Sequence, residues 1–218
     1  MKRFKGFTLT ELMIALAVIG ILVAVVTPTI MRTRPNKNKM MIKKAYYTTE
    51  NIVNSLINDS ALYRDMTEYC RSNGPDENVA QGEYCAYGFE WDEEVEQDGE
   101  KFSGNDKFQQ LFASKVNIAS SDADLKTFTT TDGIYWDFTD ISSGWADGKT
   151  HKPADNIKTL TIDVNGQGNG PDCFQEDCAD ENDIDMFRID IQSNGKMKVN
   201  AADVKAAEFV TINAAVTH

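Results

Sequence analysis

Between Gly6 and Pro28 the chain reads GFTLTELMIALAVIGILVAVVTP, and no other stretch limits its folding so tightly. From Leu12 to Val26 every residue is apolar or glycine. As a helix rising 1.5 Å per residue, Phe7–Ile30 would be roughly 36 Å long, enough to cross about 30 Å of hydrocarbon. A short basic leader, Lys2, Arg3 and Lys5, precedes it and ends at Gly6. Glu11 is the one ionisable residue inside the span. A carboxylate at membrane depth costs roughly 2.5–3.5 kcal/mol on the insertion scale, so it requires a partner. A cut after Gly6 supplies one. The new amine of Phe7 would lie one helical turn from Glu11 on the same chain, and within reach of Glu11 on a neighbour.

Two other readings of the stretch compete. A basic n-region before an apolar core also describes a secretory signal peptide. Such a signal would hold Glu11 inside its apolar region, and no A-x-A-like cleavage site follows that region; Ala15-Leu16-Ala17 lies within it. A buried globular helix is the second reading, but a helix apolar on every face suits lipid better than one side of a core.

Gly6-Phe7-Thr8-Leu9-Thr10-Glu11 followed by an apolar run resembles the class III signal of type IV pilins and type II secretion pseudopilins. The resemblance implies that a prepilin peptidase cuts between Gly6 and Phe7 and methylates the Phe7 amine. It implies that Glu11, fifth after the cut, sets subunit register in a helical filament. Pro28 falls where many members of that family carry a helix-loosening proline. The implied partners are copies of the chain or related pilins, the peptidase, inner-membrane assembly machinery and membrane lipid.

The formal net charge of −12 conceals an asymmetry. Up to Lys44 there are nine basic residues and a single acid, Glu11, so the remainder is strongly acidic. An acidic head repels phosphate backbones, and no nucleic-acid partner is expected. Six Lys and Arg follow the apolar span and three precede it, which by the positive-inside rule alone favours a cytoplasmic head. The four cysteines favour an oxidising compartment instead, and the resemblance puts the head outside the cytoplasm. We therefore expect an inner-membrane subunit before assembly and a surface or periplasmic filament afterwards. The cluster Arg32–Lys44 is either a solvated flank or a contact for lipid phosphates.

Past the span, Thr33-Arg34-Pro35-Asn36 predicts a kink or break. Ile42, Ala45, Tyr46, Ile52, Val53, Leu56 and Ile57 form a helical stripe that needs a sheet to cover it, with Asn58-Asp59-Ser60 as a stop. Tyr84, Tyr87, Phe89 and Trp91 suggest a short strand before the acidic run 92–96. Asn105 or Asp106 would cap a helix with Phe108, Leu111, Phe112 and Val116 on one face. Ile134, Trp136 and Phe138 alternate as in a strand; so do Leu160, Ile162 and Val164, and Phe187, Ile189 and Ile191. Ser193-Asn194-Gly195 turns the last of these into a hairpin with 196–199. Trp145, close to Gly144 and Gly148, is equally readable as a core anchor or a surface contact.

Four cysteines allow three pairings. Cys70–Cys85 and Cys173–Cys178 are favoured, because each pair is local and closes a loop without evident core residues. The longer loop would gain roughly 3 kcal/mol by the chain-entropy rule. A four-thiolate zinc site is disfavoured by spacings of fourteen and four residues between the cysteines. Asp163, Asn165, Gln167, Gly168 and Asn169 imitate the first half of a calcium loop, with Asp172, Asp180, Asp183 and Asp185 as further oxygen donors. The twelfth position is Phe174 where a bidentate acid is needed, so a solvated turn competes with calcium. No cofactor is required.

Catalysis finds little footing. There are two histidines, His151 and His218, and no nucleophile elbow, P-loop or dinucleotide fingerprint. We expect an α+β chain that is not an enzyme: leader 1–6, transmembrane and filament-core helix 7–30, exposed amphipathic continuation 31–59, and a pilin-like antiparallel-sheet head 60–218. Its expected role is a structural pilus subunit. The alternatives are a pseudopilin, or a minor-pilin adhesin using Trp145 and the acidic loops.

Overall fold

The computed structural model describes residues 9–32, 36–63, 88–145 and 155–211; for 24–32 the description is of the helical backbone alone. The chain divides into two compact units, Met1–Asn36 and Lys37–His218. Within the first, α1 runs over Leu9–Arg32. The second is an α+β unit of antiparallel strands and helices. The amphipathic segment after the apolar run therefore belongs with the sheet. The expected kink at 33–35 lies outside the described residues, with Asn36 irregular at their edge.

The second unit begins with α2, Lys37–Ile57. Its buried residues are Ile42, Ala45, Thr49, Ile52, Val53 and Leu56: the stripe read from the sequence with Thr49 added, while Tyr46 and Ile57 are only partly buried. Thr49 lies in the stripe because its hydroxyl bonds back to the Ala45 carbonyl at 2.9 Å. The helix stops at Asn58-Asp59, where Asp59 Oδ1 accepts from Ala61 N–H at 2.9 Å and turns the chain.

A six-stranded antiparallel sheet forms the centre: β3 (Ile118–Ser121), β4 (Thr127–Thr130), β5 (Tyr135–Asp137), β6 (Ile157–Asp163), β7 (Met186–Gln192) and β8 (Met197–Val199), in chain order. Register explains why one face is apolar. Phe128 pairs with Trp136, Trp136 with Ile162, and Ile162 with Phe187, so a row of large side chains crosses four strands. Leu160 faces Ile189 beside it. The opposite face carries Thr127, Asp137, Thr161 and Arg188 in the neighbouring register positions. Such one-sided burial is what antiparallel sheets permit. The three strands read from alternation are present as β5, β6 and β7, and Gly195, at φ 80°, makes the turn into β8.

Helix α3, Lys107–Ser114, lays Phe108, Leu111 and Phe112 on the apolar face. Phe112 lies 5.4 Å from Trp136 and 5.0 Å from Phe138 between ring centres. The Trp136 indole N–H donates to Thr130 Oγ1 at 3.1 Å, so its polar atom is satisfied inside the core. Asp106 precedes the helix without a side-chain bond to its backbone amides, and accepts from Gln109 Nε2 instead. Val116 falls beyond the helix end and is only partly buried.

The strand expected around Tyr84–Trp91 is corrected in its described part. Gly88–Glu90 is a single 3-10 turn, and Trp91 follows in irregular chain; Tyr84 and Tyr87 lie outside the described residues. Phe89 N–H donates to Ser193 O at 2.8 Å, which docks this turn on the β7–β8 turn. Gly88 has φ 60°, and a Cβ there would strike the Ser193 carbonyl and Ile57, so the close approach needs glycine. A small hairpin, β1 (Val95–Gln97) and β2 (Glu100–Phe102), begins at the end of the acidic run. A C-terminal helix, α4 (Val204–Thr211), covers α2: Lys39 Nζ sits 4.6 Å above the Phe209 ring and Tyr47 Oη donates to Val210 O.

Lys107 is the largest charged side chain in this core, at 1 % exposure. Its ammonium donates to Trp91 O at 3.2 Å and lies 4.5 Å from the Tyr63 ring centre. Burial lowers its pKa from 10.5 to about 8, while the charges of Asp92 and Glu93 pull it upward. The unfolded chain thus binds more protons between pH 8 and 10.5, and stability rises with pH across that window. Below about pH 8 both states are protonated and the contribution is constant. Lys107→Met is expected to remove the rise, as read from denaturant midpoints at pH 7 and pH 10. Equal slopes in both proteins would contradict the assignment.

Candidate functional site

The N-terminal candidates divide at the edge of the described residues. Gly6 and Phe7, the expected cut, lie outside them. Glu11 lies in the first turn of α1. Every side chain from Leu9 to Val23 is exposed, with the large apolar ones between 50 % and 76 %. The expected membrane span is not met among the described residues: no helix there is long and apolar enough to cross a membrane.

Cys173 and Cys178 are joined by a disulfide with Cα atoms 5.4 Å apart. Cys70 and Cys85 lie outside the described residues. The 173–178 loop is fastened from several sides. Asp185, fully buried, accepts from Cys173 N–H at 2.8 Å through Oδ1. Its Oδ2 accepts from Asn165 Nδ2 at 2.9 Å and Asp172 N–H at 3.2 Å. Asp163, 2 % exposed, accepts from Asn165 N–H and Gly166 N–H at 3.1 Å each, a side-chain-closed turn. Burial raises the Asp163 pKa, with the charges of Asp185 and Asp172 adding to the effect and the two amide bonds opposing it.

Of the residues expected to offer calcium oxygens, Asp163, Asn165, Asp172 and Asp185 come together in this loop. Gln167 and Asn169 are exposed. Gly170 is closely fitted, since a Cβ there would meet the Asn165 side-chain amide and Asp185 Oδ2. Among the described residues no group of three or more His, Cys, Asp or Glu is arranged to hold a metal ion. The hydrogen bonds to Asp163 and Asp185 account for the loop with protein donors. Chelating calcium is accordingly expected to leave the melting midpoint of the chain unchanged. A lower midpoint that calcium restores, and that Asp163→Ala abolishes, would place a cation there.

Sequence reading missed the cation that ties this loop down. Arg188 on β7 forms a fork with Asp203, Nε to Oδ2 at 3.0 Å and Nη2 to Oδ1 at 2.9 Å. Nη2 also reaches Glu176 Oε1 at 2.7 Å, and the guanidinium lies 4.2 Å from the Phe174 ring centre. Hydrogen bonding to Asp203 raises the Arg188 pKa further, and bonding to Arg188 lowers that of Glu176. Lys205 N–H donates to Gln175 Oε1 at 2.6 Å, joining the same loop to α4. Sequence offered one hint: Arg188 is the only cation in the strand segment 186–192.

Trp145 resolves as a core contact. Its ring lies 5.2 Å from Phe89 and 5.1 Å from Phe108, leaving it half-buried. This removes the main aromatic contact from the adhesin reading.

No curated protein and no solved structure matches the chain. Residues 1–27 match the family model of the prokaryotic N-terminal methylation motif. The matched segment contains Gly6, Phe7 and Glu11, and the start of this chain is therefore a class III prepilin N-terminus of the type IV pilin and pseudopilin kind.

Proposed function

We propose that the chain is a structural subunit of a type IV pilus-like filament. Prepilin peptidase cuts it between Gly6 and Phe7 and methylates Phe7. It then leaves the inner membrane, head outside the cytoplasm, to join copies of itself or related pilins. The observation that carries this reading is the methylation motif over residues 1–27. The exposed apolar surface of Leu12–Val23 supports it. An apolar surface of that extent requires cover from lipid or from other helices. Lipid covers the helix before assembly, and neighbouring subunits cover it in the filament core. The disulfide at 173–178 supports an oxidising compartment for the head.

The test is imaging of filaments sheared from the cell surface, with labelling against the 37–218 unit. Regular labelling along the fibre, lost when prepilin peptidase is deleted, is the expected result. Labelling at tips alone would favour a minor pilin. Retention of short filaments in the periplasm would favour a pseudopilin.

A further inference from the structure

Four segments of the second unit, the 88–92 stretch among them, converge on a small cavity of about 30 Å³ lined by Tyr63, Phe89, Lys107, Phe108 and Trp145, among others. Tyr63 comes from the chain leaving α2, Lys107 from the first turn of α3, and Trp145 from the segment after the Ile141–Ser143 turn. Two of its lining residues carry a buried polar atom without a hydrogen-bond partner. The Tyr63 hydroxyl, on a residue 2 % exposed, has no hydrogen-bond partner among the described residues. Trp145 Nε1 is likewise buried and unpartnered. An ammonium carries three donors, and that of Lys107 places one on Trp91 O among the described residues. Leaving buried donors unsatisfied costs more than a made bond gains, so three such groups around one space call for a shared acceptor.

We propose that this cavity is the binding site of a single ordered water molecule that accepts from Trp145 Nε1 and Lys107 Nζ and shares a hydrogen bond with Tyr63 Oη. Size selects the ligand. The cavity of about 30 Å³ exceeds the roughly 10–15 Å³ that a buried water needs and leaves no room for an organic molecule. Charge selects it as well. Glu90 and Asp92 also line the space, which counts against a bound anion beside Lys107. With two or more polar partners, the water meets the usual requirement for a buried site. It also explains how an ammonium is held in an aromatic surround, 4.5 Å from the Tyr63 ring centre, with one protein carbonyl as acceptor. The water pins the end of α2 to α3 and to the chain after the 141–143 turn, independently of how the filament assembles.

The test uses the full chain in detergent micelles, isotopically labelled at tryptophan. The Trp145 indole N–H is expected to show a cross-peak to a long-lived water, of the sign that distinguishes dipolar contact from exchange. The Trp136 indole, bonded to Thr130 Oγ1, is the internal control without one. Tyr63→Phe is expected to weaken the Trp145 cross-peak and lower the melting midpoint by a few degrees. A midpoint that stays or rises would overturn the proposal, because removing an unpaired hydroxyl from a dry site relieves a cost. Absence of the Trp145 cross-peak would overturn it equally.

Discussion

A Glu11→Ala chain is expected to be cut after Gly6 as efficiently as the parent and to build few or no filaments. The substitution removes a carboxylate from an apolar helix, which eases insertion by roughly 2.5–3.5 kcal/mol on the insertion scale. The peptidase motif stays intact, so maturation proceeds. Assembly is where the loss falls. In a packed helical core the Phe7 amine needs an anion, and Glu11 is the nearest acid in its helix. An uncompensated buried charge costs roughly 3–5 kcal/mol when its partner is removed. Repeated at every subunit, that penalty also erases the register mark between neighbouring helices. Immunoblots should show full processing, and electron microscopy of sheared surface fractions should show bare cells. Filaments at parental abundance would refute the registration role while leaving the processing intact.

Arg188→Ala is expected to be the most destabilising single change in the second unit that leaves the apolar core untouched. Asp203 is 1 % exposed, and the Arg188 fork supplies its charge partner. Without the guanidinium, a buried carboxylate keeps, among the described residues, only its bond from the Arg188 backbone N–H at 2.8 Å. Breaking a buried pair costs roughly 3–5 kcal/mol. The Arg188 side chain remains 24 % exposed, so the lower end of that range, about 3 kcal/mol, applies. Arg188→Lys keeps the charge but not the planar fork, and is expected to recover only part of the loss. The same change frees Phe174 and Glu176, so the disulfide loop should become more open to protease while Cys173–Cys178 stays closed. Chemical denaturation and limited proteolysis read the two effects separately. Parental stability in Arg188→Ala would show that the loop is held without the Arg188–Asp203 pair.

The parts of the fold legible in the sequence are those where periodicity meets burial. Helix α2 was readable because its stripe is broken only by Thr49, which hides its hydroxyl on its own backbone. Strands β5, β6 and β7 were readable because one face alternates without interruption. The β1–β2 hairpin was missed because its residues are mostly charged. Its turn, Asp98-Gly99, with φ of 54° and 83°, is nevertheless a recognised hairpin signal. Strands β3 and β4 were missed for a related reason. Ala119, Ser120 and Ser121 are exposed at the sheet edge, so no apolar alternation marks them. Aromatic spacing misled around Phe89 and Trp91, where the rings plug the core from a turn and irregular chain.

The candidate sites were legible to different depths. Gly6, Phe7 and Glu11 form a contiguous motif, so position alone identifies them. Asp163 and Asp185 are twenty-two residues apart, and only the pairing of β6 with β7 brings their loop ends together. Arg188 and Asp203 are joined by the fold in the same way. An isolated cation in a strand does not say which of many acids will meet it. Lys107 reads as an ordinary surface residue of a helix, and burial alone reveals it.

The most direct measurement of the central claim is the intact mass and N-terminal fragment spectrum of the chain purified from membranes of cells with active prepilin peptidase. The account predicts a chain beginning at Phe7 and carrying one added methyl group on its amine. A mature chain that still begins with residues 1–6 would contradict it.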